Sequence, residues 1–390
     1  MLASSRVSTE SRVNVLHLGK FDTQGGIERH VKALASRLVS ARIGVVNLVS
    51  NDTARTDRHD KYGYSTVRAA CWGTASSLAV SPTLPLIARQ LHRTHRFDLV
   101  HLHFPDPLGH LTALALPRSV RRVITWHSDI VRQRLALGAY APFMRSFAQT
   151  AAAIIGATPQ HFSTSTQIPP PSELQIQTVI PYGIDPSTFV WTAAARTRRA
   201  DLQARHRGRL VFAVGRHVYY KGFDVLIRSM RNVDAELIIG GRGPLTDSLK
   251  SATRDAGVES KVHFAGYIED DELIAYYDAC DVFCMPSTER SEQFGLVQLE
   301  AMQMAKPIVT TRLGTGVEYV TLDGETGVLV PPHDETALAS ALNALLVDPA
   351  RRSKLGAAGR RRVADVFSAD RMAQATLDLY EQILDRTAPP

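Results

Sequence analysis

Glu292 and Glu300 stand eight residues apart in SEQFGLVQLEAM (residues 291–302), with Phe294-Gly295 between them. On one continuous helix, side chains eight apart are separated by roughly 12 Å and rotated by about 80°, so the two acids cannot work on one bond. Phe294-Gly295 instead reads as a loop that opens a helix. Glu292 then lies ahead of the helix and Glu300 within it, with unpaired backbone N–H groups between. That layout suits a long ligand, with hydroxyl-rich groups at each carboxylate and a phosphate in the middle, where the amides and the positive helix end attract negative charge. A nucleotide diphosphosugar has this form. A lone acid pair at this spacing is more commonly one solvated acid and one helix-start acid, so the surrounding motifs decide.

VFAVGRHVYYKGFDVLI (residues 211–227) puts Arg216 directly after an apolar run and Lys221-Gly222 just before a helical stretch. Cations there can neutralise a departing diphosphate, Arg forking across oxygens and Lys acting as a point charge. Two exposed bases on a strand–helix loop would leave the same trace. His127 ends the run ITWH at the carboxyl end of a strand, where an imidazole can reach a sugar hydroxyl or phosphate, and a structural histidine is the rival reading. His101 and His103 share a strand face, a metal pair by spacing. No third ligand or Asp-x-Asp accompanies them, so they read as core or cleft histidines. Gly25-Gly26 sit between the first strand and a helix over 27–38, small enough for a backbone to approach a ligand or simply to turn. The G-x-G-x-x-G and G-x-x-x-x-G-K-[ST] signatures are absent, which speaks against a dehydrogenase and an ATPase. GGRGP (240–244) either flanks the nucleotide or turns the chain, and Gly266-Tyr267-Ile268 can frame a base.

These groups need strand ends and helix starts to hold them. Apolar runs at 13–18, 44–49, 98–103, 123–126, 153–155 and 178–180 read as strands, and a second series runs 210–214, 236–239, 262–264, 282–285, 307–310 and 327–330. Both series alternate with helical stretches, so the fold class is α/β with two doubly wound parallel-sheet domains, 1–186 and 187–367. A linker and a surface helix join them over 181–199, residues 160–172 read as an irregular surface loop, and 368–384 reads as a final helix.

A length of 390 residues suits two domains, and 44% hydrophobic residues suits globular ones. Cys71, Cys280 and Cys284 have no framework spacing and point to buried thiols in a reducing compartment. The polar start, with Arg6, Glu10 and Arg12, lacks the apolar region of a signal peptide, and no run approaches a membrane span. Through Pro186 there are 20 Lys/Arg against 11 Asp/Glu, and beyond it 25 against 27, so the first part carries +9 and the second −2. A basic first domain suits anionic lipid or a phosphorylated acceptor, or is simply solvated; no nucleic-acid-binding motif is present, and no nucleic-acid partner is expected.

Taken together and in order, GGIE (25–28), TWHSD (125–129), PYGID (181–185), VGRHVYYKG (214–222) and SEQFGLVQLEAM resemble the retaining family-4 glycosyltransferases, over about residues 12–385. The resemblance implies the GT-B architecture, two Rossmann-like domains facing across a cleft, with the segment 368–390 returning to the first. It implies that Arg216 and Lys221 bind the donor diphosphate, Glu292 the sugar hydroxyls and Glu300 the ribose. Phe294, Gly295 and Leu296 would offer amides, Gly26 beside Gly25 would face the diphosphate, and His127 would touch the transferred sugar. Tyr182 replaces the Asn usual in the family's P-N-G-[VI]-D turn. The implied reaction is metal-independent transfer of a hexose to a hydroxyl acceptor with retention, with no cofactor beyond the nucleotide sugar. The closest family likeness is to bacterial mannosyltransferases of lipopolysaccharide and other polysaccharides, which makes GDP-mannose the first donor and a UDP-hexose or UDP-N-acetylhexosamine the second. The expected acceptor is a glycan or a polyprenyl-diphosphate-linked sugar, with the enzyme cytoplasmic and peripheral at the inner membrane face. A glycosidase would need carboxyls about 5 to 9.5 Å apart across one bond, which this spacing does not give. A non-catalytic nucleotide-sugar sensor would bind GDP or UDP tightly without turnover.

Overall fold

The computed structural model describes residues 13–21, 25–75, 78–130 and 134–386. Arg6, Glu10, Arg12 and the last residues of the 368–390 segment lie outside the described residues. The chain forms two compact units, residues 1–183 with 369–390, and residues 184–368.

The first unit holds β1 (Asn14–Phe21), β2 (Gly44–Ser50), β3 (Asp57–Lys61), β4 (Tyr64–Ala69), a small pair β5 (Thr74–Ala75) and β6 (Leu78–Ala79), then β7 (Leu99–Phe104), β8 (Arg121–Trp126), β9 (Ala153–Gly156) and β10 (Ile176–Val179). Eight of them make a sheet in the order β10-β9-β8-β7-β1-β2-β4-β3. Every pairing is parallel except β3 with β4, which is antiparallel. The central strands are buried on both faces: all six residues of LVHLHF and the last four of RRVITW are buried. Leu16, Leu18, Val100, Leu102, Phe104, Ile124 and Trp126 build the core on one face. Val15, Leu99 and Val123 point to the other, with Leu34 and Leu38 of helix Gly26–Ser40 and Met372, Leu379 and Tyr380 of helix Ala369–Asp385. The final helix thus belongs to the first unit, its Met372, Thr376, Leu379, Tyr380 and Ile383 buried at helical spacing.

The strands at 50–80 went unread in the sequence because β3, DRHDK, carries no apolar alternation. It is an edge strand, closed onto β4 by Tyr62 and Gly63 at φ 62° and 84° and tied by the Arg68–Asp57 ion pair at 2.7 Å. The 160–172 segment is corrected too. Pro159–Thr164 is helical, and the buried Gln167 clamps the backbone of Ile130 at both its N–H and its carbonyl.

The second unit holds β11 (Leu210–Val214), β12 (Glu236–Gly240), β13 (Val262–Gly266), β14 (Val282–Met285), β15 (Ile308–Thr311) and β16 (Gly327–Val330). They form an all-parallel sheet in the order β13-β12-β11-β14-β15-β16. The order reverses between β11 and β14, and in open α/β sheets the crevice beyond the strand ends at such a reversal is where ligands bind. The three cysteines are buried thiols. No helix among the described residues is long and apolar enough to cross a membrane.

Candidate functional site

Both halves of the sequence-predicted donor site come from the two strands flanking that reversal. After β11 the chain runs through the exposed Arg216 to a short turn, Tyr219–Lys221, and Gly222 at φ +64° starts the next helix. Gly222 has to be glycine twice over: its φ is left-handed, and a Cβ would collide with the carbonyl oxygen of Pro286. That backbone approach, with the amide of Thr288 donating to the carbonyl of Tyr220 at 2.8 Å, brings the loop after β11 against the loop after β14. Lys221 and Glu292, 71 residues apart, meet there. Lys221 Nζ lies 2.5 Å from Glu292 Oε2, with only 14% and 10% of the two side chains exposed.

Burial pulls the Lys221 pKa down, but the adjacent charge and hydrogen bond of Glu292 outweigh it, and the ammonium is held above its ordinary value. An ammonium has three N–H donors, and among the described residues one of them serves Glu292. Ser287 Oγ also donates to Glu292 Oε2 at 3.1 Å, and Thr315 Oγ1 donates to its backbone carbonyl at 2.9 Å, so the acid is fixed from both ends. Helix Leu296–Gln303 then begins from Gly295 at φ +74°, with Phe294 buried behind it. The first-turn amides that a helix leaves without internal partners therefore start four residues after Glu292. Gln298 locks this entry, donating to the Phe294 carbonyl at 2.7 Å and accepting from Thr321 Oγ1 at 2.6 Å.

Glu300 lies within that helix and is buried, its Oε2 accepting from Tyr277 at 2.7 Å. On the other side of β11, the strand ends converge on glycines. The Gly241 amide donates to the Gly266 carbonyl at 2.6 Å, and a Cβ on Gly243 would lie 2.5 Å from the His217 carbonyl oxygen. A cavity of about 460 Å³ opens here, lined among others by Arg242, Phe264 and Gly266. Tyr267, next to Gly266, is 44% exposed. Ser287, Gln298, Arg242 and Tyr277 were not singled out in the sequence. Tyr277 reaches Glu300, and Gln298 meets Thr321, across 23 residues, pairings for which sequence spacing carries no signal, whereas Ser287 lies five residues before Glu292 in the same loop.

The remaining predicted residues belong to the first unit. Gly25 precedes helix Gly26–Ser40 with extended backbone, and Gly26 is exposed. His127 follows β8 and is 6% exposed, with both ring nitrogens engaged: Nδ1 with Tyr182 Oη at 2.5 Å and Nε2 with His103 Nδ1 at 3.1 Å. Tyr182, the departure from the family's turn, is thus His127's partner. Asp129 of the same motif is structural, accepting from Trp126 Nε1 and Ser165 Oγ. His101 and His103 lie on one strand face as predicted from spacing, but His101 is satisfied by Tyr380 at 2.6 Å and Thr125 at 2.7 Å.

Comparison with known proteins identifies the family. The model described as Glycosyl transferases group 1 matches residues 195–362, and that described as Glycosyltransferase Family 4 matches residues 24–188. The chain is 31% identical over 370 residues to the D-rhamnosyltransferase WbpZ of Pseudomonas aeruginosa, covering 92% of this chain and 93% of the relative. It is 28% identical to O-antigen chain mannosyltransferase C of Escherichia coli, over 96% of this chain and 99% of that one. Among solved structures, sucrose-phosphate synthase of Thermosynechococcus elongatus superposes with a TM-score of 0.80 at 23% identity, over 95% of this chain and 99% of the other. Anabaena HepE in complex with UDP and glucose gives 0.75 at 18%, over 95% and 100%. With two such sheets, both family models matched in order and a 31% relative matched over nearly its whole length, the chain belongs to the family-4 glycosyltransferases and has the GT-B fold.

Proposed function

We propose that this glycosyltransferase moves a hexose, mannose from GDP-mannose in the first instance, to a hydroxyl of a lipid-linked or glycan acceptor in bacterial cell-surface polysaccharide synthesis. The anomeric configuration is retained, and no metal takes part in transfer. The observation that carries the donor site is the Lys221–Glu292 pair, built at the sheet's reversal point four residues ahead of a glycine-started helix.

In this reading Glu292 accepts hydrogen bonds from sugar hydroxyls while Lys221 and Arg216 face the diphosphate. The Phe294, Gly295 and Leu296 amides meet its oxygens, Glu300 takes the ribose, and Gly266 and Tyr267 frame the base beside the cavity. Departure of the nucleotide diphosphate is the step that builds charge. Fixed cations and amides aimed at those oxygens stabilise it more in the transition state than in the ground state. The acceptor proton passes to a donor phosphate oxygen, so no protein nucleophile is called for. Within the first unit, Tyr182 orients the ring of His127.

Two relatives bear on the sugar. One is a mannosyltransferase and another a D-rhamnosyltransferase, and D-rhamnose is mannose without its 6-hydroxyl, so both handle a manno-configured ring. The basic first part, +9 through Pro186, suits an acceptor presented on an anionic carrier at a membrane face. The test is a panel of GDP- and UDP-sugars offered with membrane lipid extract, following nucleotide release and glycosylated product. Product from GDP-mannose supports the reading. Product from UDP-sugars alone moves the donor to a UDP-hexose or UDP-N-acetylhexosamine, and nucleotide binding without turnover overturns the enzyme reading.

A further inference from the structure

The second unit gathers a group of side chains at the end of its sheet away from the donor site. β12 begins at Glu236 and β13 at Val262, and Ile238 pairs in register with His263. Successive side chains on a strand alternate faces, so Glu236, two residues before Ile238, projects to the same face as His263. Leu237, Ile239 and Val262 turn the other way, into the core with Val211 and Leu226. His206 is the residue that ends helix Ala193–Arg205, its backbone amide donating to the Leu202 carbonyl at 2.9 Å. Three separate elements thus bring one residue each to the amino ends of β12 and β13. Gly240, where β12 ends beside the donor site, is four residues and about 13 Å further along.

Both imidazoles converge on a single carboxylate oxygen. Glu236 Oε2 lies 2.6 Å from His206 Nδ1 and 2.8 Å from His263 Nε2, and the ring centroids are 4.9 Å apart. A carboxylate only accepts, so both rings must donate to it. Yet both N–H groups crowd onto Oε2, and none of the described residues donates to Oε1. A carboxylate has room for donors on either oxygen, so hydrogen bonding alone does not call for this convergence, whereas a cation between the three atoms does. The group is also reachable, its side chains 10% exposed at His206, 29% at Glu236 and 38% at His263.

We propose that His206, Glu236 and His263 form a binding site for one borderline divalent cation of the Zn²⁺ class, fastening the end of helix Ala193–Arg205 to β12 and the edge strand β13. The three donor atoms already lie within 4.8 Å of one another. Two imidazole nitrogens and one carboxylate oxygen suit Zn²⁺ and leave a fourth tetrahedral position for water. Ligands at these bond lengths around a tetrahedral ion stand about 3.4 Å apart, so each nitrogen withdraws from Oε2 by less than about 1 Å. Each ring also moves its proton to its other nitrogen through solvent, which frees the lone pairs of His206 Nδ1 and His263 Nε2 for the ion. A hard cation that prefers oxygen ligands, such as Mg²⁺, is not held. No residue of the donor site takes part, so the site holds whichever nucleotide sugar the enzyme uses.

Tag-free full-length protein, stripped with chelator and dialysed, is titrated with Zn²⁺ by calorimetry and with Co²⁺ by visible absorption. The expected result is one equivalent bound, with the d–d bands of a four-coordinate site and a melting temperature that rises with added Zn²⁺. His206→Ala and His263→Ala each weaken binding at least tenfold and abolish the rise, while His333→Ala, at an exposed histidine of the same unit, changes neither. Glu236→Gln keeps a hydrogen-bonding group for the rings but removes the charge, and it weakens binding by the same order. It decides the matter if a histidine variant fails to melt cooperatively. No uptake, Mg²⁺ held as tightly as Zn²⁺, undiminished uptake in Glu236→Gln or in either histidine variant, or an equal loss in His333→Ala would each overturn the proposal.

Discussion

Removing Lys221 alone should harm the second unit more than removing the whole pair. At the observed 2.5 Å, an effective dielectric of about 20 gives an attraction of roughly 6–7 kcal/mol before desolvation is subtracted. Lys221→Ala leaves Glu292, 7% exposed, with Ser287 as its one side-chain hydrogen-bond donor among the described residues, and an uncompensated buried charge of this kind costs about 3–5 kcal/mol. Lys221→Ala/Glu292→Gln removes both charges and keeps a group that Ser287 can still reach, so most of that cost should return. The expected coupling energy is about 2–3 kcal/mol. The assay is denaturant unfolding of the full chain with hydrogen exchange at the β11 and β14 amides, which assigns the change to this unit. Equal destabilisation by the single and double variants would mean that the two charges do not support one another, and the reasoning would fail.

Gly222 and Gly314 share φ +64°, but a Cβ on Gly314 meets nothing within 4 Å while one on Gly222 meets the Pro286 carbonyl. Gly314→Ala should therefore cost about 1–2 kcal/mol and Gly222→Ala more than about 3, and equal costs by denaturant unfolding would contradict the backbone-contact account. Tyr277→Phe should weaken nucleotide-sugar binding about tenfold in calorimetry by releasing the Glu300 carboxylate, and unchanged affinity would remove Glu300 from the ribose. The Lys221 pKa is raised above 10.5, so its contribution to stability is complete below that value and is lost as pH rises through the higher folded value. Stability measured from pH 7 to 9.5 should show no decline in wild type that disappears in Lys221→Ala.

Much of this was legible in the sequence because it is local. β11, β14 and β16 fall where their apolar runs begin and end, and Gly295 opens the helix that separates Glu292 from Glu300. What was not legible is non-local. The meeting of Lys221 with Glu292 needs Gly222 pressed on Pro286, and the group His206, Glu236 and His263 needs a helix end set against two neighbouring strands. His101 and His103 find Thr125 and His127 on and just after β8, pairings that their own spacing does not carry. The edge strand β3 was invisible for a different reason: its charged residues are held by an ion pair and a tight turn, and an apolar face plays no part.

The central claim is that one cationic and one acidic side chain, Lys221 and Glu292, grip the two ends of the bond that breaks. Its most direct test is transfer from GDP-mannose to acceptor in membrane lipid extract by wild type, Glu292→Gln and Lys221→Ala, each confirmed folded by melting. The account predicts kcat/KM lowered about 10²- to 10³-fold in both variants. Folded variants that transfer at the wild-type rate would contradict it.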